Sequence, residues 1–390
     1  MLNGKQILFG VTGSIAAYKA IEIVRRLTEN GADVSVIMTD AACRFISPIT
    51  FEAISKRPAH IDLFNGYFKH INLVKEAHMF IIAPASANTI SKIACGIADN
   101  LLTTTYLAYE GPVLIAPAMN SRMYKNPTVQ KNIRELEKAG AIFIGPESGE
   151  LACGEEGIGR MAEIGDIIEA VKSALTPKDL KGHNILVTAG PTREAIDPIR
   201  FLSNRSSGKM GYAIAKAAYR RGADVTLISG PTALKPPTGI TFMPVENARD
   251  IQKAVLNNFQ KSTIVIMAAA VCDFAPSVIC QTKIPKTKKI AVNLEETPDI
   301  LHKLGRKKGK RFLIGFAAET GMNIQRAKDK LKDKNLDLIV LNDVTQKGAG
   351  FDLDTNIATL INRKGETTAL PLMKKEDLAN VILDRVTGFK

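Results

Sequence analysis

The chain begins the same structural pattern twice, and this repetition limits its possible folds more than any other feature. The segments "GADVSVIMT" (31–39) and "GADVTLISG" (222–230) are nearly alike. Each follows an amphipathic helical stretch, which in turn follows a short apolar segment, "QILFGV" (6–11) or "NILVTA" (184–189). Strand, helix and strand in this order form a βαβ unit, and such units build parallel sheets covered by helices. The sequence therefore predicts two α/β domains.

Further elements follow from local patterns in each half. Short β-branched runs, typical of buried parallel strands, lie at 79–83, 113–116, 263–268, 312–317 and 336–341. Helices are predicted over 14–30, 208–222 and 375–386, and a hairpin over 356–372. The segment "TPKDLKGH" (176–183) combines proline, glycine and charge and is predicted to be a linker. The predicted domains are therefore 1–175 and 184–390.

Composition excludes several classes of protein. The 390 residues are 45% hydrophobic, with no apolar run of the roughly 18 residues that a membrane span needs. The start, "MLNGKQILFG", lacks the features of a signal peptide, which predicts a soluble cytoplasmic protein. Five cysteines without a C-x-x-C pair indicate neither a disulfide framework nor a zinc site.

The formal charge of +13 suits nucleic acid, a membrane surface or small anionic substrates, or it belongs to a solvated surface. The basic cluster "GRKKGKR" (305–311) has no interleaved aromatic residues that could stack on bases. Nucleic acid is therefore the weaker hypothesis, and we expect small-molecule substrates.

Loops that follow the strands of an open α/β sheet are where ligands bind. In the first half these loops are rich in glycine, alanine, serine and threonine, and they lie at 11–19, 38–42, 83–89, 116–120 and 145–154. Small residues let the backbone approach a ligand, and Ser14 at a helix start can bind a phosphate. The spacing Gly10-x-x-Gly13-Ser14 is not G-x-G-x-x-G, and the second strand ends at Thr39 rather than at an acidic residue. A mononucleotide such as FMN fits this better than NAD, although Gly13 alone could equally serve strand-to-helix packing.

Four motifs of the first half together resemble the flavin-dependent cysteine decarboxylases, in their phosphopantothenoylcysteine decarboxylase branch. They are "HINL" (70–73), "APASANTISKIACGIADNLL" (83–102), "APAMN" (116–120) and "LACGEEGIGRM" (151–161). The resemblance covers almost all of residues 5–165 and implies a flavodoxin-like domain that binds FMN. It implies oxidation of the substrate's cysteinyl thiol to a thioaldehyde, loss of the carboxylate, and reduction of the enethiol to 4′-phosphopantetheine.

The same resemblance implies roles for individual residues. His70 falls on the catalytic histidine, Asn120 on the substrate-binding asparagine and Cys153 on the cysteine that protonates the intermediate. The implied flavin contacts are Gly13, Ser14, Thr39 and Ser86, where Ser86 replaces the usual threonine. Taken alone, His70 could be structural, as we interpret His78 to be, Asn120 could be a turn residue, and Cys153 a buried small residue.

The second half resembles phosphopantothenate–cysteine ligases through "TAGPTREAIDPIRFLSNRSSGKMGYAIA" (188–215). The resemblance implies a Rossmann-like domain that uses CTP and Mg²⁺ to form 4′-phosphopantothenoyl-CMP, from which the amine of cysteine displaces CMP. It assigns Asn204 to the acyl-cytidylate step, with Arg200 binding the substrate beside it. The implied nucleotide-binding residues are Asp273, Lys283, Pro298, Asp299, Ile300, Phe316, Lys330 and Lys334. No Walker-type P-loop is present, and no metal ligands can be assigned.

Several predicted site residues of the second half also have structural explanations, and two of its motifs differ from the family's pattern. Pro298–Ile300 could simply cap a helix, Phe316 could belong to the core, and the lysines of 327–335 could line a solvated face. The family's "AVADY" is "AVCDF" here, and its "KIKK" is "KIPK", where Pro285 removes a backbone donor and a charge. The strictness of the preference for CTP is therefore open.

The order of the two halves matches the bacterial bifunctional enzymes of coenzyme A synthesis. Two alternatives are a flavoenzyme that acts on a peptide cysteine, which the attached ligase half disfavours, and a flavin-free regulatory subunit. The second would be favoured by loss of His70, Asn120 or Cys153, and all three are present. The flavin family forms trimers with sites between subunits and the ligase family commonly dimerises, so we expect a homo-oligomer, and a dodecamer would combine both contacts.

Overall fold

The computed structural model describes residues 2–64, 67–152, 154–286, 290–319, 321, 323–343, 346, 348, 350 and 352–386. The chain divides into two compact units, Met1–Thr176 and Pro177–Lys390. The segment predicted as a linker falls at this division, and its Leu180 is buried in the core of the second unit. Each unit has its own sheet and hydrophobic core, so the prediction of two α/β domains is confirmed.

The first unit is built around a parallel sheet. Its strands are β1 (Gln6–Val11), β2 (Asp33–Met38), β3 (Met79–Ala85), β4 (Val113–Pro117), β5 (Ile142–Phe143), β6 (Glu147–Glu150) and β7 (Glu156–Arg160). Its helices are α1 (Ala17–Glu29), α2 (Asp40–Cys43), α3 (Pro48–Ser55), α4 (Lys69–Lys75), α5 (Ala87–Ala94), α6 (Leu101–Ala108), α7 (Ser121–Lys125), α8 (Pro127–Lys138) and α9 (Ile164–Leu175). The sheet order is β2-β1-β3-β4-β5, the doubly wound order of flavodoxin-like domains, and β6 and β7 form a separate antiparallel hairpin.

The second unit has a larger doubly wound sheet, whose six parallel strands follow the order of Rossmann-like domains rather than the flavodoxin-like order. Its strands are β8 (Asn184–Ala189), β9 (Arg193–Ala195), β10 (Phe201–Ser203), β11 (Asp224–Ser229), β12 (Thr241–Pro244), β13 (Ile264–Met267), β14 (Phe274–Pro276), β15 (Leu294–Glu296), β16 (Phe312–Glu319), β17 (Leu338–Asp343), β18 (Thr355–Asn356), β19 (Ala358–Asn362), β20 (Thr367–Ala369) and β21 (Met373–Lys374). Its helices are α10 (Lys209–Arg220), α11 (Ala248–Phe259), α12 (Ile300–Arg306), α13 (Ile324–Asp333) and α14 (Lys375–Asp384). The sheet order β12-β11-β8-β13-β16-β17-β19-β20 is parallel as far as β17, after which β19 and β20 run antiparallel as the predicted hairpin.

The repeated "GAD" segment has the same structural role in both units. Gly31 has φ +85° and Gly222 has φ +89°, a conformation that costs glycine little and ends the preceding helix. The alanine that follows each glycine is buried, and the aspartate begins the next strand, β2 or β11. Apolar residues of α1 and α10 pack on their sheets, and because the strands before and after each helix run parallel, the loops after these strands lie at one edge.

Two short hairpins of the second unit were not predicted from the sequence. Strands β9 and β10 pair antiparallel, as do β14 and β15, and both pairs lie in connections that follow strands of the main sheet. Within the described ranges, no helix is long and apolar enough to cross a bilayer.

Candidate active sites

The first unit contains a cavity of about 1190 Å³ beyond the carboxyl ends of β1 to β4. Its walls include predicted cofactor and substrate residues from four separate loops: Gly13, Ser14, Thr39, Ser86 and Asn120. A single ligand pocket commonly encloses about 300–1,000 Å³, so this cavity has room for a cofactor together with a substrate. The edge of the sheet predicted to bind ligands is therefore the edge that contains the cavity.

Helix starts surround this cavity. Thr39, Ser86 and Asn120 are the N-cap residues of α2, α5 and α7, and each side-chain oxygen accepts a backbone N–H, from Ala42, Thr89 and Arg122. Ser14 precedes α1 and donates its hydroxyl proton to Ala118 O at 3.4 Å. Helix N-termini carry partial positive charge, so this wall favours an anion.

Gly13 packs closely against α2 as well as lining the cavity. A Cβ atom at this position would lie 2.5 Å from the Cβ of Ala41, nearer than two carbon atoms can approach. The structural alternative for Gly13, tight packing, therefore holds alongside its place in the cavity wall, because the close contact brings the loop after β1 towards the loop after β2.

A buried threonine that sequence reasoning missed connects two of these loops. The hydroxyl of Thr12 donates to Pro84 O at 2.7 Å and accepts the N–H of Ser86 at 2.8 Å. Thr12 is completely buried, so these bonds are shielded from water. This pair of bonds, which we call the Thr12 bridge, fixes the end of β1 against the end of β3.

The hairpin β6–β7 covers one side of the cavity. Leu151, Ala152 and Gly154 line it, whereas Cys153, predicted to act as the acid, lies outside the described residues. Asn120 Nδ2 donates to Glu155 Oε2 at 3.3 Å, which joins the hairpin loop to the predicted substrate-binding residue.

The base of this hairpin approaches the loop of Asn120 at backbone distance. A Cβ atom at Gly159 would lie 2.1 Å from Met119 O, and the N–H of Met119 donates to Gly159 O at 3.1 Å. Only glycine allows this approach, which keeps β7 beside the "PAMN" loop.

His70 is not among the residues that line the cavity. It lies on α4, half-buried, beside the exposed side chains of Tyr67 and Phe68. His78 differs, because its Nδ1 accepts the N–H of Gln6 at 3.1 Å, as expected for a structural histidine. The single chain therefore assembles the predicted flavin contacts and Asn120 without the predicted catalytic histidine.

Charged and amide side chains that were not predicted also line this cavity. They include Lys19, Asn88, Lys92 and Arg160. Lys92 pairs with Asp99 at 2.5 Å, and Arg160 pairs with Glu147 and Glu163 at 3.1 and 3.0 Å. Lys19 and Lys92 lie within motifs already singled out, "VTGSIAAYK" and "SANTISK", but no periodic pattern separates them from exposed lysines of a helix.

A second cavity, of about 420 Å³, lies in the second unit beyond β13 and β16. It is lined by most of the predicted nucleotide-binding residues: Asp273, Pro298, Asp299, Ile300, Phe316, Lys330 and Lys334. These residues come from four separate stretches of sequence. The fold, rather than proximity in the sequence, therefore brings these residues together.

The polar groups of the second cavity are arranged around α12 and α13. Asp299 caps α12 by accepting the N–H of His302 at 2.9 Å, and its other oxygen lies 2.9 Å from Lys334 Nζ. Burial opposes the charge of Asp299, but the His302 N–H and the Lys334 ammonium hold the pKa of this carboxyl below its usual value. Lys330 Nζ lies 2.8 Å from Glu319 Oε1. The capping role proposed as an alternative for Asp299 is therefore present together with its place in the cavity.

Asn204 does not line the cavity, but it is bonded to the loop after β13, which does. Its Nδ2 donates to Ala270 O at 2.6 Å and lies 3.8 Å from Cys272 Sγ, while its Oδ1 accepts the N–H of Ser206. The neighbouring residues Ala269 and Val271 belong to the cavity wall. Asn204 is therefore held one residue away from the predicted nucleotide site.

Arg200 and Lys283 also lie outside the second cavity. Arg200 binds Asp197, and its Nη2 donates to Ile284 O at 2.7 Å. Lys283 is exposed beside Ile284, and Thr287 to Lys289 of the same segment lie outside the described residues. The structure thus brings Arg200 near the segment of Lys283 but places neither residue in the lining of the second cavity.

Comparisons with known proteins agree with the two-unit division. The family described as "Flavoprotein" matches residues 1–176, and the family described as "DNA/pantothenate metabolism flavoprotein C-terminal domain" matches residues 180–389. The chain is 47% identical to the "Coenzyme A biosynthesis bifunctional protein CoaBC" of Bacillus subtilis, over 100% of this chain and 98% of that protein. The chain belongs to the CoaBC family.

Other CoaBC proteins are similar over the same length. That of Escherichia coli K12 is 42% identical over 99% of this chain and 97% of its own length. Among solved structures, the C-terminal domain of a CoaBC protein is 44% identical, with a TM-score of 0.47 over 54% of this chain and 97% of that domain. The FMN-dependent cysteine decarboxylase SpaF is 30% identical, with a TM-score of 0.40 over 45% of this chain and 97% of its own.

Membership of the CoaBC family confirms the predicted family and the flavoprotein nature of the first half. It also supports the predicted pairing of a decarboxylase half with a ligase half in one chain, rather than a peptide-modifying flavoenzyme or a regulatory subunit. The roles of individual residues, the use of CTP and Mg²⁺, the assembly and the cytoplasmic location stay predictions.

Proposed function

We propose that this chain is a bifunctional enzyme of coenzyme A biosynthesis. Its second unit joins 4′-phosphopantothenate to cysteine at the expense of CTP, and its first unit decarboxylates the product to 4′-phosphopantetheine with FMN. The observation that carries the proposal is that each unit of this CoaBC-family chain has a cavity lined by several of the residues predicted for its own half of the reaction.

The first cavity suits FMN in size and in the chemistry of its walls. The helix starts at α1 and α5, with the hydroxyls of Ser14 and Ser86, provide donors for a phosphate monoester. Ala87, Ala118 and Met119 provide apolar surface for a flat ring system. When bound there, FMN would supply the two-electron oxidation of the substrate thiol and the later return of the electrons.

The side chains around the flavin site would orient the substrate and move its protons. Asn120 is the N-cap residue of α7, and its side-chain amide can donate to the substrate's carboxylate or amide. The hairpin loop that contains Cys153 would close over the substrate, and this thiol would protonate the enethiolate. The bond from Asn120 to Glu155 suits this closure, because it joins the loop to the residue that would hold the substrate.

In the second cavity, ligation needs positive charge near the phosphates of the nucleotide. Lys330 and Lys334 would exchange their carboxylate partners, Glu319 and Asp299, for phosphate oxygens. No cluster of three or more acidic, histidine or cysteine side chains that could hold a metal ion occurs among the described residues. Mg²⁺ would therefore be held largely by the triphosphate, as this ion usually is.

We further propose that the decarboxylase site is completed by a second copy of the chain. His70 is outside the cavity of its own chain, and the segment beside it exposes 88% of Phe64 and 92% of Tyr67. Aromatic surface of this kind commonly becomes buried on association. The second unit exposes Ile199, Phe201 and Val278 around its short hairpins, which suits the predicted ligase dimer.

Complementation between two variants of low activity tests the shared site. Mixed subunits of His70→Gln and Asn120→Asp, refolded or coexpressed together, should regain a substantial fraction of decarboxylase activity, because some cavities receive both intact residues. Each variant alone should have decarboxylase activity lowered about 100-fold or more. Absence of recovery in verified hetero-oligomers would show that His70 acts within its own chain or has no part in the reaction.

The proposed function is tested on the full-length chain by visible absorbance and product analysis. We expect a bound flavin spectrum, and release of CMP, pyrophosphate and 4′-phosphopantetheine when 4′-phosphopantothenate, cysteine, CTP and Mg²⁺ are supplied. Parallel reactions with ATP, GTP or UTP measure the nucleotide preference. A colourless protein that FMN cannot reconstitute would overturn the decarboxylase assignment, and absence of ligation with every nucleotide would overturn the ligase assignment.

A further inference from the structure

A buried carboxylate outside the second cavity, that of Asp197, accepts five hydrogen bonds. Asp197 is 2% exposed and lies in the loop between β9 and β10. Its Oδ1 accepts the backbone N–H groups of Ile199 and Arg200 at 2.9 and 2.8 Å. Its Oδ2 accepts Nε and Nη2 of Arg200 at 2.9 and 2.5 Å. This carboxylate therefore fixes both the backbone and the side chain of Arg200.

The same two side chains also hold a distant piece of backbone. Asp197 Oδ2 accepts the N–H of Ile284 at 3.2 Å, and Arg200 Nη2 donates to Ile284 O at 2.7 Å. Both backbone groups of Ile284 are thus bonded to residues more than 80 positions earlier in the chain. We call Asp197, Arg200 and Ile284 the Asp197 clamp.

The clamped residue lies within the lysine-bearing segment. Ile284 is directly preceded by Lys283 and followed by Pro285, which has no N–H to donate. A further bond, from Cys280 N–H to Ile196 O at 3.0 Å, fixes the start of this segment to the same loop. The side chain of Lys283 is exposed, so its direction depends on the backbone that the clamp holds.

The groups around the Asp197 carboxyl stabilise its negative charge. The guanidinium of Arg200 and the N–H groups of Ile199, Ile284 and Arg200 hold the pKa of this carboxyl far below its usual range. Asp197 is therefore ionised at any pH at which the enzyme would work. A neutral amide at this position would accept fewer of the donors and would present an N–H group to the guanidinium.

We propose that Asp197 is a positioning residue of the ligase reaction: through Arg200 and Ile284 it holds the 280–286 segment so that Lys283 reaches the phosphates of the nucleotide. The inference rests on the proposed ligase function. It also changes the interpretation of Arg200, because the Nε and Nη2 edge of this side chain is committed to the clamp and cannot simultaneously bind a substrate carboxylate.

The test compares two variants that each remove one aspartate–arginine pair from the same unit. Asp197→Asn breaks the clamp. Asp179→Asn breaks a similar pair, in which the Asp179 carboxylate accepts hydrogen bonds from Nε and Nη2 of Arg221 at 2.9 and 2.5 Å. Neither residue of this control pair lines the second cavity. In the full-length chain, Asp197→Asn should lower kcat/KM for CTP about tenfold or more. Asp179→Asn should leave it within twofold, even where both lower the Tm.

A double-mutant cycle with Lys283→Gln identifies the route of the effect. If Asp197 acts through Lys283, adding Asp197→Asn to Lys283→Gln should change kcat/KM for CTP little further. Full additivity, or unchanged CTP kinetics in a folded Asp197→Asn protein, would overturn the proposal. If Asp197→Asn does not fold, Ile284→Pro offers a second test, because it removes the clamped N–H and keeps the side chains of Asp197 and Arg200. It should also lower kcat/KM for CTP.

The experiment also separates failure of this inference from failure of the proposed function. The unmodified chain is assayed for ligation first, and an inactive ligase would remove the premise without testing the clamp. Decarboxylation of supplied 4′-phosphopantothenoylcysteine should remain unchanged in both variants, because the flavin cavity belongs to the other unit. Loss of decarboxylation in Asp197→Asn would indicate general damage and would contradict a specific positioning role.

Discussion

Replacing Asn120 by aspartate should lower kcat/KM for decarboxylation by about 100-fold or more, while flavin content and ligation stay unchanged. A hydrogen bond to a charged group contributes about 1.5–3 kcal/mol, so losing the amide donor alone accounts for roughly 10- to 150-fold. The new carboxylate would also repel the substrate's carboxylate in a partly enclosed site. Steady-state decarboxylation of 4′-phosphopantothenoylcysteine measures this effect.

The aspartate variant is chosen because it preserves the helix-capping role of Asn120, although it loses the Nδ2 bond to Glu155. An aspartate can still accept the Arg122 N–H that Asn120 accepts at 2.8 Å, so α7 keeps its cap. Asn126→Asp is the matched control, since Asn126 caps α8 by accepting the Thr128 N–H at 2.9 Å and does not line the cavity. Equal losses in the two variants would assign the effect to helix capping and would contradict substrate binding by Asn120.

Neutralising both lysines of the second cavity, in Lys330→Gln/Lys334→Gln, should raise KM for CTP about 100-fold. Each lysine would lose a charge-assisted bond to a phosphate oxygen, for which about 1.5–3 kcal/mol is typical, and partial compensation by Mg²⁺ reduces the sum. The dependence of KM on salt should also weaken, because fewer charges attract the nucleotide. Ligation kinetics at several CTP and salt concentrations measure both effects.

The control for this prediction lies on the same helix. Lys332 is exposed on α13 between the two cavity lysines and does not line the cavity, so Lys332→Gln changes the net charge without changing the site. It should alter KM for CTP less than threefold. If Lys332→Gln and the double variant have similar effects per charge removed, α13 contributes only a general positive field.

Much of the fold could be predicted because each unit depends on strong local signals. Buried strands such as β3 are continuous apolar runs, and α1 and α10 have apolar faces that end at glycines of positive φ. The carboxyl ends of parallel strands lie at one edge of the sheet, so the loops that follow the strands in the sequence could be predicted to surround the first cavity.

Other features could not be predicted because their stabilising contacts are distant in sequence. The clamp joins Asp197 to a residue 87 positions later, and no periodicity of either segment indicates the bond. Strands β14 and β15 are short and mostly exposed, so they lack the apolar alternation by which strands are found. His70 was predicted only through a resemblance, and its half-exposed helix gives no sign of where its ring would act.

The Thr12 bridge has a consequence for how tightly the first cavity can hold a ligand. Because the bridge consists of hydrogen bonds between buried groups of the protein itself, it needs no cofactor to join the loops after β1 and β3, and these loops do not have to be ordered when a cofactor binds. The conformational entropy of that part of the wall is lost during folding rather than during binding. The floor of the cavity is therefore preorganised, and contacts made there contribute to affinity without an opposing cost of loop ordering.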